Sequence, residues 1–486
     1  MTRDELIQHI ADQKDKPVEL SNVKLAGENL KGINFNHIKM RNSDLSGADL
    51  SDAVLDNADL SFCIITEARL AGTSLKSANL QGANLMKADV RNANFSGANL
   101  QEANLSAATL EHSNFTGCQM AKATLTGING KEATFDMIRA PGVRLNKALL
   151  FRSSFVNANI ESADLSESDL RGADFSGATL KGTTIQKALL AGVSLRKVFM
   201  PSSDLRNLNL SGLDMSEAVI TSAQMNNINL TDTNLRGANL EGSQIEYAQL
   251  SGAIMDYAKL DNAVFTGSTL ERSGMSHASC INTHFSMANM KGVILSQAIA
   301  TRAVFKEANL SGAIMRSSVF SSGDFSSANL SNADMRDSEM EGVSLHNAIL
   351  NQAQISRRTI KSVCPWCGYQ QDTKEQCEKC GKQMIIPDPA IKTLHALIVL
   401  PLISIVAGPL VFILTGLQFM HAGLIPRWVL HPAFQAGMLL TMISLLMSAV
   451  LLLLLRRSPL NEGGGYLRSA IALSAINALC YAFFLL

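Results

Sequence analysis

Residues 78–112 read ANLQG, ANLMK, ADVRN, ANFSG, ANLQE, ANLSA and ATLEH. The third place of each five is a large apolar residue: Leu80, Leu85, Val90, Phe95, Leu100, Leu105 and Leu110. The same spacing runs outward from Leu20 to Ile360 without a change of phase. Gly130, Ala140 and Ala300 interrupt it, and Cys280 stands in as a small apolar residue. A period of five is neither the 3.6 of a helix nor the 2.0 of an ordinary strand. It describes a short unit, repeated about 69 times, that places one side chain per unit in the same environment. That is the pattern of a solenoid.

The other places agree. With the apolar residue as position i, position i−2 is small over long stretches, as in Ala48, Ala53, Ala58, Cys63 and Ala68. Position i−1 is often Asp or Asn (Asp44, Asp49, Asp59, Asn79, Asn84), side chains that bond backbone at turns. Positions i+1 and i+2 carry Ser, Gly and charged residues, as in Ser46-Gly47 and Gln81-Gly82. Positions i and i−2 therefore point inward, and the remaining three face solvent.

Units such as Ala48-Asp49-Leu50-Ser51-Asp52 and Ala98-Asn99-Leu100-Gln101-Glu102 resemble the pentapeptide-repeat family, whose pattern is A(D/N)LXX. The resemblance covers residues 18–360. It implies an all-β fold, a right-handed quadrilateral β-helix with four pentads per coil. At about 4.8 Å per coil, some 17 coils give a rod on the order of 80 Å long. The unbroken phase predicts one continuous rod. The stretch Thr126–Val143, with Gly130, Ala140 and Pro141, is the expected place for a bulge or an outward loop.

The whole chain of 486 residues is formally neutral, and residues 1–360 hold 33 Lys and Arg against 37 Asp and Glu. Some members of the resembled family mimic B-DNA and occupy topoisomerases, which needs a dense acidic surface. Here the acidic group Glu161, Asp164, Glu167 and Asp169 is followed by Lys187, Arg196 and Lys197. Steering toward nucleic acid or its partners is not predicted.

Both ends of a solenoid expose unpaired edges. At the start, Thr2 and Glu5 read as a capping box for a helix over about Thr2–Gln13, with Leu6, Ile7 and Ile10 on one face. Residues 1–17 are thus expected to form a helical cap. After the last pentad comes Cys364-Pro365-Trp366-Cys367-Gly368, then Cys377-Glu378-Lys379-Cys380-Gly381. These two pairs resemble the knuckles of a zinc ribbon, placed at 361–386. Four thiolates suit a closed tetrahedral shell, so the expected cofactor is one structural Zn²⁺ held by Cys364, Cys367, Cys377 and Cys380. Cys63, Cys118 and Cys280 fall at interior places and read as core fillers.

Residues 387–486 open on a Pro-rich linker and then turn apolar. The runs 396–417, 436–455 and 469–486 lack charge and have about the length of a bilayer-spanning helix. They predict a membrane anchor of three transmembrane helices. Lys374, Lys379, Lys382 and Lys392 precede the first run, and Arg456, Arg457 and Arg468 precede the third. That asymmetry predicts a multi-pass protein of the bacterial inner membrane, with solenoid and ribbon cytoplasmic.

No glycine-rich phosphate loop, HExxH or GxSxG elbow is present in a fitting context. The sequence therefore predicts a non-enzymatic, membrane-anchored cytoplasmic scaffold that displays surface to a protein partner. Neither nucleic acid nor a small-molecule substrate is expected. One alternative makes the rod the regulatory domain of a small membrane transport or signalling component. A second, disfavoured by the neutral charge, makes it a topoisomerase- or DNA-associated protein.

Overall fold

In a computed structural model, the pentads wind into a regular coil. Residue n pairs in parallel with residue n+20, from Glu19↔Lys39 through Asn329↔Ile349. Four pentads make one turn of the coil, so the coil has four sides. The residues described are 3–12, 18–355, 376–377 and 379–381. We number the sides by their bridging residues: face I holds 24, 44 and onward, face II 29 and 49, face III 34 and 54, and face IV 19 and 39. Each side contributes a single bridging residue per coil; only at Asp334–Met335 against Gln354–Ile355 does pairing widen to two residues.

The corners explain the period. Ala48 N–H donates to Leu45 C=O at 3.1 Å, and Gly47 between them has φ 63°. A bond from the fourth residue to the first, with positive φ at the third, is a type II turn. The turn repeats at successive corners, which places residue i+2 in the left-handed region. Asn, Asp, Ser, Gly and long unbranched side chains fill this place, and no Val, Ile or Thr does. Branching at Cβ would crowd the backbone there. The expected bulge at Thr126–Val143 does not occur. Pro141-Gly142 is an ordinary corner, with Pro at the second place and Gly (φ 69°) at the third. The small residues Gly130 and Ala140 are offset by the larger Ile128 and Ile138 at their i−2 places, all buried.

The interior is one apolar column from Leu20 to Ile355, lined by positions i and i−2. Phe95, Phe115, Phe135, Phe155 and Phe175 stack along face III with centroids 4.7–5.1 Å apart. Phe265, Phe285, Phe305 and Phe325 stack likewise along face I, at 4.5–5.2 Å. Where position i−2 is polar, its hydroxyl is satisfied. Thr73 Oγ1 donates to Leu50 C=O at 2.7 Å, and Ser113 Oγ to Val90 C=O at 2.6 Å.

The N-terminal helix α1 spans Arg3–Asp12, and Leu6 is fully buried within the solenoid's own apolar cluster. Ile7 instead faces solvent. The multi-pass membrane location is overturned. Among the described residues no helix is long and apolar enough to cross a membrane. The one helix described, α1, is about 15 Å long and carries Arg3, Asp4, Glu5 and Asp12, whereas a span needs about 20 apolar residues. The runs 396–417, 436–455 and 469–486, on which that location rested, lie outside the described residues.

Candidate interaction surface

The outward position i−1 is spent mostly on the turn beside it. Asp49 Oδ1 accepts the Ser51 N–H at 3.0 Å, and Asn99 Oδ1 accepts that of Gln101 at 3.1 Å. Neighbouring coils add rungs: Asn99 Nδ2 donates to Asn79 Oδ1, and Asn79 Nδ2 to Asp59 Oδ1, both at 3.1 Å. Four Asp-x-Arg pairs close two-pronged forks, in which Arg91, Arg171, Arg206 and Arg336 grip Asp89, Asp169, Asp204 and Asp334. The bond from each Arg is the leading reason these carboxyls sit below the ordinary value of 3.8. Such carboxylates are braces, held ionised, and poorly suited to accept and return protons.

The interior thiols are equally inert. Burial pushes Cys63 up to about 11 and Cys118 up to about 12, and it raises Cys280 as well. Cys63 Sγ–H donates to Met40 C=O, and Cys118 Sγ–H to Phe95 C=O. They act as core fillers, as their interior places predicted. Among the described residues no group of three or more His, Cys, Asp or Glu could hold a metal. Of the predicted zinc ligands, Cys364 and Cys367 lie outside the described residues. Cys377 is buried and Cys380 exposed, on a turn that Gly381 closes by donating to Cys377 C=O at 2.8 Å. Gly381 sits at φ 68°, in the left-handed region that glycine enters without steric cost.

What the surface offers instead is a file of isoleucines. On face III the place usually given to Asn or Asp holds Ile254, Gly274, Ile294 and Ile314 in consecutive coils. Ile254, Ile294 and Ile314 are 44%, 37% and 40% exposed. Between Ile254 and Ile294, which stand two coils, or about 9.6 Å, apart, Gly274 carries no side chain and the Asp256 carboxylate lies against it. On the adjoining face IV, Ile299 lies exposed beside Val319 in the next coil. At the corner between these faces the Tyr257 and His277 rings stack at 4.6 Å, and the Arg236 guanidinium lies 5.0 Å from the Tyr257 centroid. Exposed apolar residues also occur singly elsewhere, as at Phe62, Leu149 and Leu189, but here they line up along one face, and such a file marks a contact surface. Sequence reading passed over it, although a period of 20 within the i−1 series would have revealed it.

The family model for pentapeptide repeats matches eight times, over residues 19–57, 53–92, 91–127, 153–192, 202–237, 233–272, 278–316 and 323–357. Among solved structures, the chain is similar to HetL, a pentapeptide-repeat protein involved in heterocyst differentiation regulation from the cyanobacterium Nostoc. Identity is 20%, coverage 76% of this chain and 100% of HetL, and TM-score 0.12. It is also similar to Rfr23, a pentapeptide-repeat protein from the cyanobacterium Cyanothece, at 25% identity over 30% of this chain and 99% of that one, with TM-score 0.19. A third is QnrB1, a plasmid-mediated fluoroquinolone resistance protein, at 16% identity over 50% and 94%, with TM-score 0.21. No curated protein matches.

Proposed function

The chain belongs to the pentapeptide-repeat family, and from that premise we propose that it is a non-catalytic rod that binds a protein partner. The isoleucine file carries this reading. Ile254, Ile294 and Ile314 stand in register on one flat face, at places where most coils of that face carry polar groups such as Asn94, Asn114 and Asp174. Their spacing is set by the coil rise, so the file is a preorganised ruler that a partner meets without reordering it. Burying three half-exposed isoleucines supplies a few kcal/mol, and the Tyr257–His277 stack beside them adds a rigid aromatic edge.

The test is affinity capture with the wild-type chain and with Ile294→Glu/Ile314→Glu, both checked for unchanged thermal unfolding. A partner recovered in fixed stoichiometry with the wild type should be lost from the variant. Identical recoveries from both would remove this face from the function.

Beside it we assign one structural Zn²⁺ to Cys364, Cys367, Cys377 and Cys380. The Gly381 turn behind the second pair supports the assignment. With four thiolates the shell would be closed, so the metal would hold the segment's shape and supply no chemistry.

A further inference from the structure

Midway along the rod the bonding between two coils is interrupted on two of the four sides. Bridges fail between 184 and 204 on face I and between 189 and 209 on face II, whereas Thr179↔Phe199 and Ser194↔Asp214 hold on faces IV and III. By the repeat's rule the N–H groups of Gly182, Ile185, Lys187, Leu190 and Gly192 should donate to the carbonyls of Pro201, Asp204, Arg206, Asn209 and Ser211 in the next coil. None of these five bonds forms. One coil below, Ser162, Leu165, Glu167, Leu170 and Gly172 all make theirs, at 2.8–3.0 Å. Nor do Asp204 and Asn209 donate back to Thr183 and Ala188. A side chain substitutes in one place, where Gln186 Nε2 reaches Asp204 C=O at 3.4 Å. Ile185, Leu190 and Leu208 are slightly exposed, at 6%, 8% and 8%, against 1% for Leu165 and Leu170 below.

The filling of the core changes beside the break. Elsewhere in the middle of the rod a branched aliphatic at i−2 has small residues above and below. Ile128 stands between Ala108 and Ala148, and Val143 between Ala123 and Ala163. Beside the break two such residues come in successive coils, Val193 under Leu213 on face III, where the Ser194↔Asp214 bridge holds, and Leu208 under Ile228, where the Asn209↔Asn229 bridge holds. Interiors have no spare volume, so this crowding loads the coil of Leu208 and Leu213, which is the upper coil of the open junction. The break also lies between the two phenylalanine stacks, one ending at Phe175 and the other beginning at Phe265. Each arm has an aromatic spine, and the junction has none.

We propose that this seam is a hinge. The bonded faces III and IV are its spine, and faces I and II open and close, so that the arm ending near residue 192 swings against the arm that starts near 201. Surfaces on faces I and II of the two arms thereby change their spacing, while those on III and IV keep theirs.

Hydrogen exchange on the full chain reads the opening directly. The amides of Gly182, Ile185, Lys187, Leu190 and Gly192 should exchange at least tenfold faster than those of Ser162, Leu165, Glu167, Leu170 and Gly172. Equal protection would overturn the hinge. The swing is read by electron–electron distance measurement between nitroxides on p-acetylphenylalanine, which leaves the eight native cysteines untouched. Thr124 and Gln224 span five coils across the seam, and Gln224 and Asp324 span five coils within one arm. At one inter-strand spacing per coil, both pairs should centre at about 24 Å before label length is added. The first distribution should be at least twice as wide as the second. Equal widths would also overturn the hinge. Leu208→Ala/Leu213→Ala, which restores small residues at i−2, should narrow the first distribution to that of the second. A distribution that stays wide would overturn the wedge as its cause.

Discussion

Replacing Phe135 by alanine tests whether the stacked rings are a mechanical unit of the first arm. Phe135 is fully buried, with Phe115 at 5.1 Å on one side and Phe155 at 4.8 Å on the other. Truncating a buried phenylalanine costs about 3–5 kcal/mol, the range reflecting how far the site collapses. Collapse is restricted here, because Phe135 N–H is tied to Ser154 C=O above and Thr134 N–H to Ser113 C=O below. Each lost stack adds about 0.5–1.5 kcal/mol beyond area burial. The expected cost of Phe135→Ala is therefore at the top of the range, about 5 kcal/mol. Phe135→Leu keeps most of the volume and loses both stacks, for an expected cost of about 2 kcal/mol. Guanidinium unfolding followed by far-UV circular dichroism gives both numbers against wild type. If both variants fall within about 1 kcal/mol of wild type, a shift too small for a lost core ring, the column contributes volume only and the reasoning fails.

Gly117 has φ 71° and open space where a Cβ would stand, so its replacement isolates backbone strain. Gly117→Val should lose about 2 kcal/mol or more and Gly117→Asn much less, as midpoints of thermal unfolding will show. Asp334 is held down at about 2, foremost by the Arg336 bond and also by the Arg316 bond, while desolvation pushes it the other way. A lowered folded-state value means that this stabilisation is complete above pH 3.8 and fades as pH falls toward 2. Asp334→Asn should therefore unfold more easily than wild type at pH 7 and equally at pH 2. Metal analysis of the purified chain should find one zinc per chain, and none in Cys364→Ser/Cys377→Ser; equal zinc in both would remove the assignment.

The five-residue period located the core to the residue, because one-sided burial every fifth position leaves a signal that neither helix nor ordinary strand produces. The corner turns were less visible. Their mark is an exclusion, the absence of Val, Ile and Thr from position i+2, and exclusions are harder to read than preferences. Gly130 and Ala140 misled because each was judged alone, whereas volume is shared with Ile128 and Ile138 in the same pentads. The seam and the isoleucine file escaped for a related reason. Both depend on which residues stack in successive coils, as Leu208 under Ile228 or Ile294 under Ile314, and a linear reading does not place them together. The first zinc pair and the three apolar runs lie outside the described residues.

The left-handed corner has an evolutionary side. A coil presents four such places, each indifferent to charge, size and aromaticity so long as the carbon next to the backbone is unbranched. Glu67, Lys87, Ala107, Lys147 and Tyr247 occupy corners of one edge with nearly the same φ. Drift can thus rewrite that edge codon by codon while the core beneath never registers the change. New binding preferences become accessible by single substitutions, and the architecture resists only those few that fork at the first carbon.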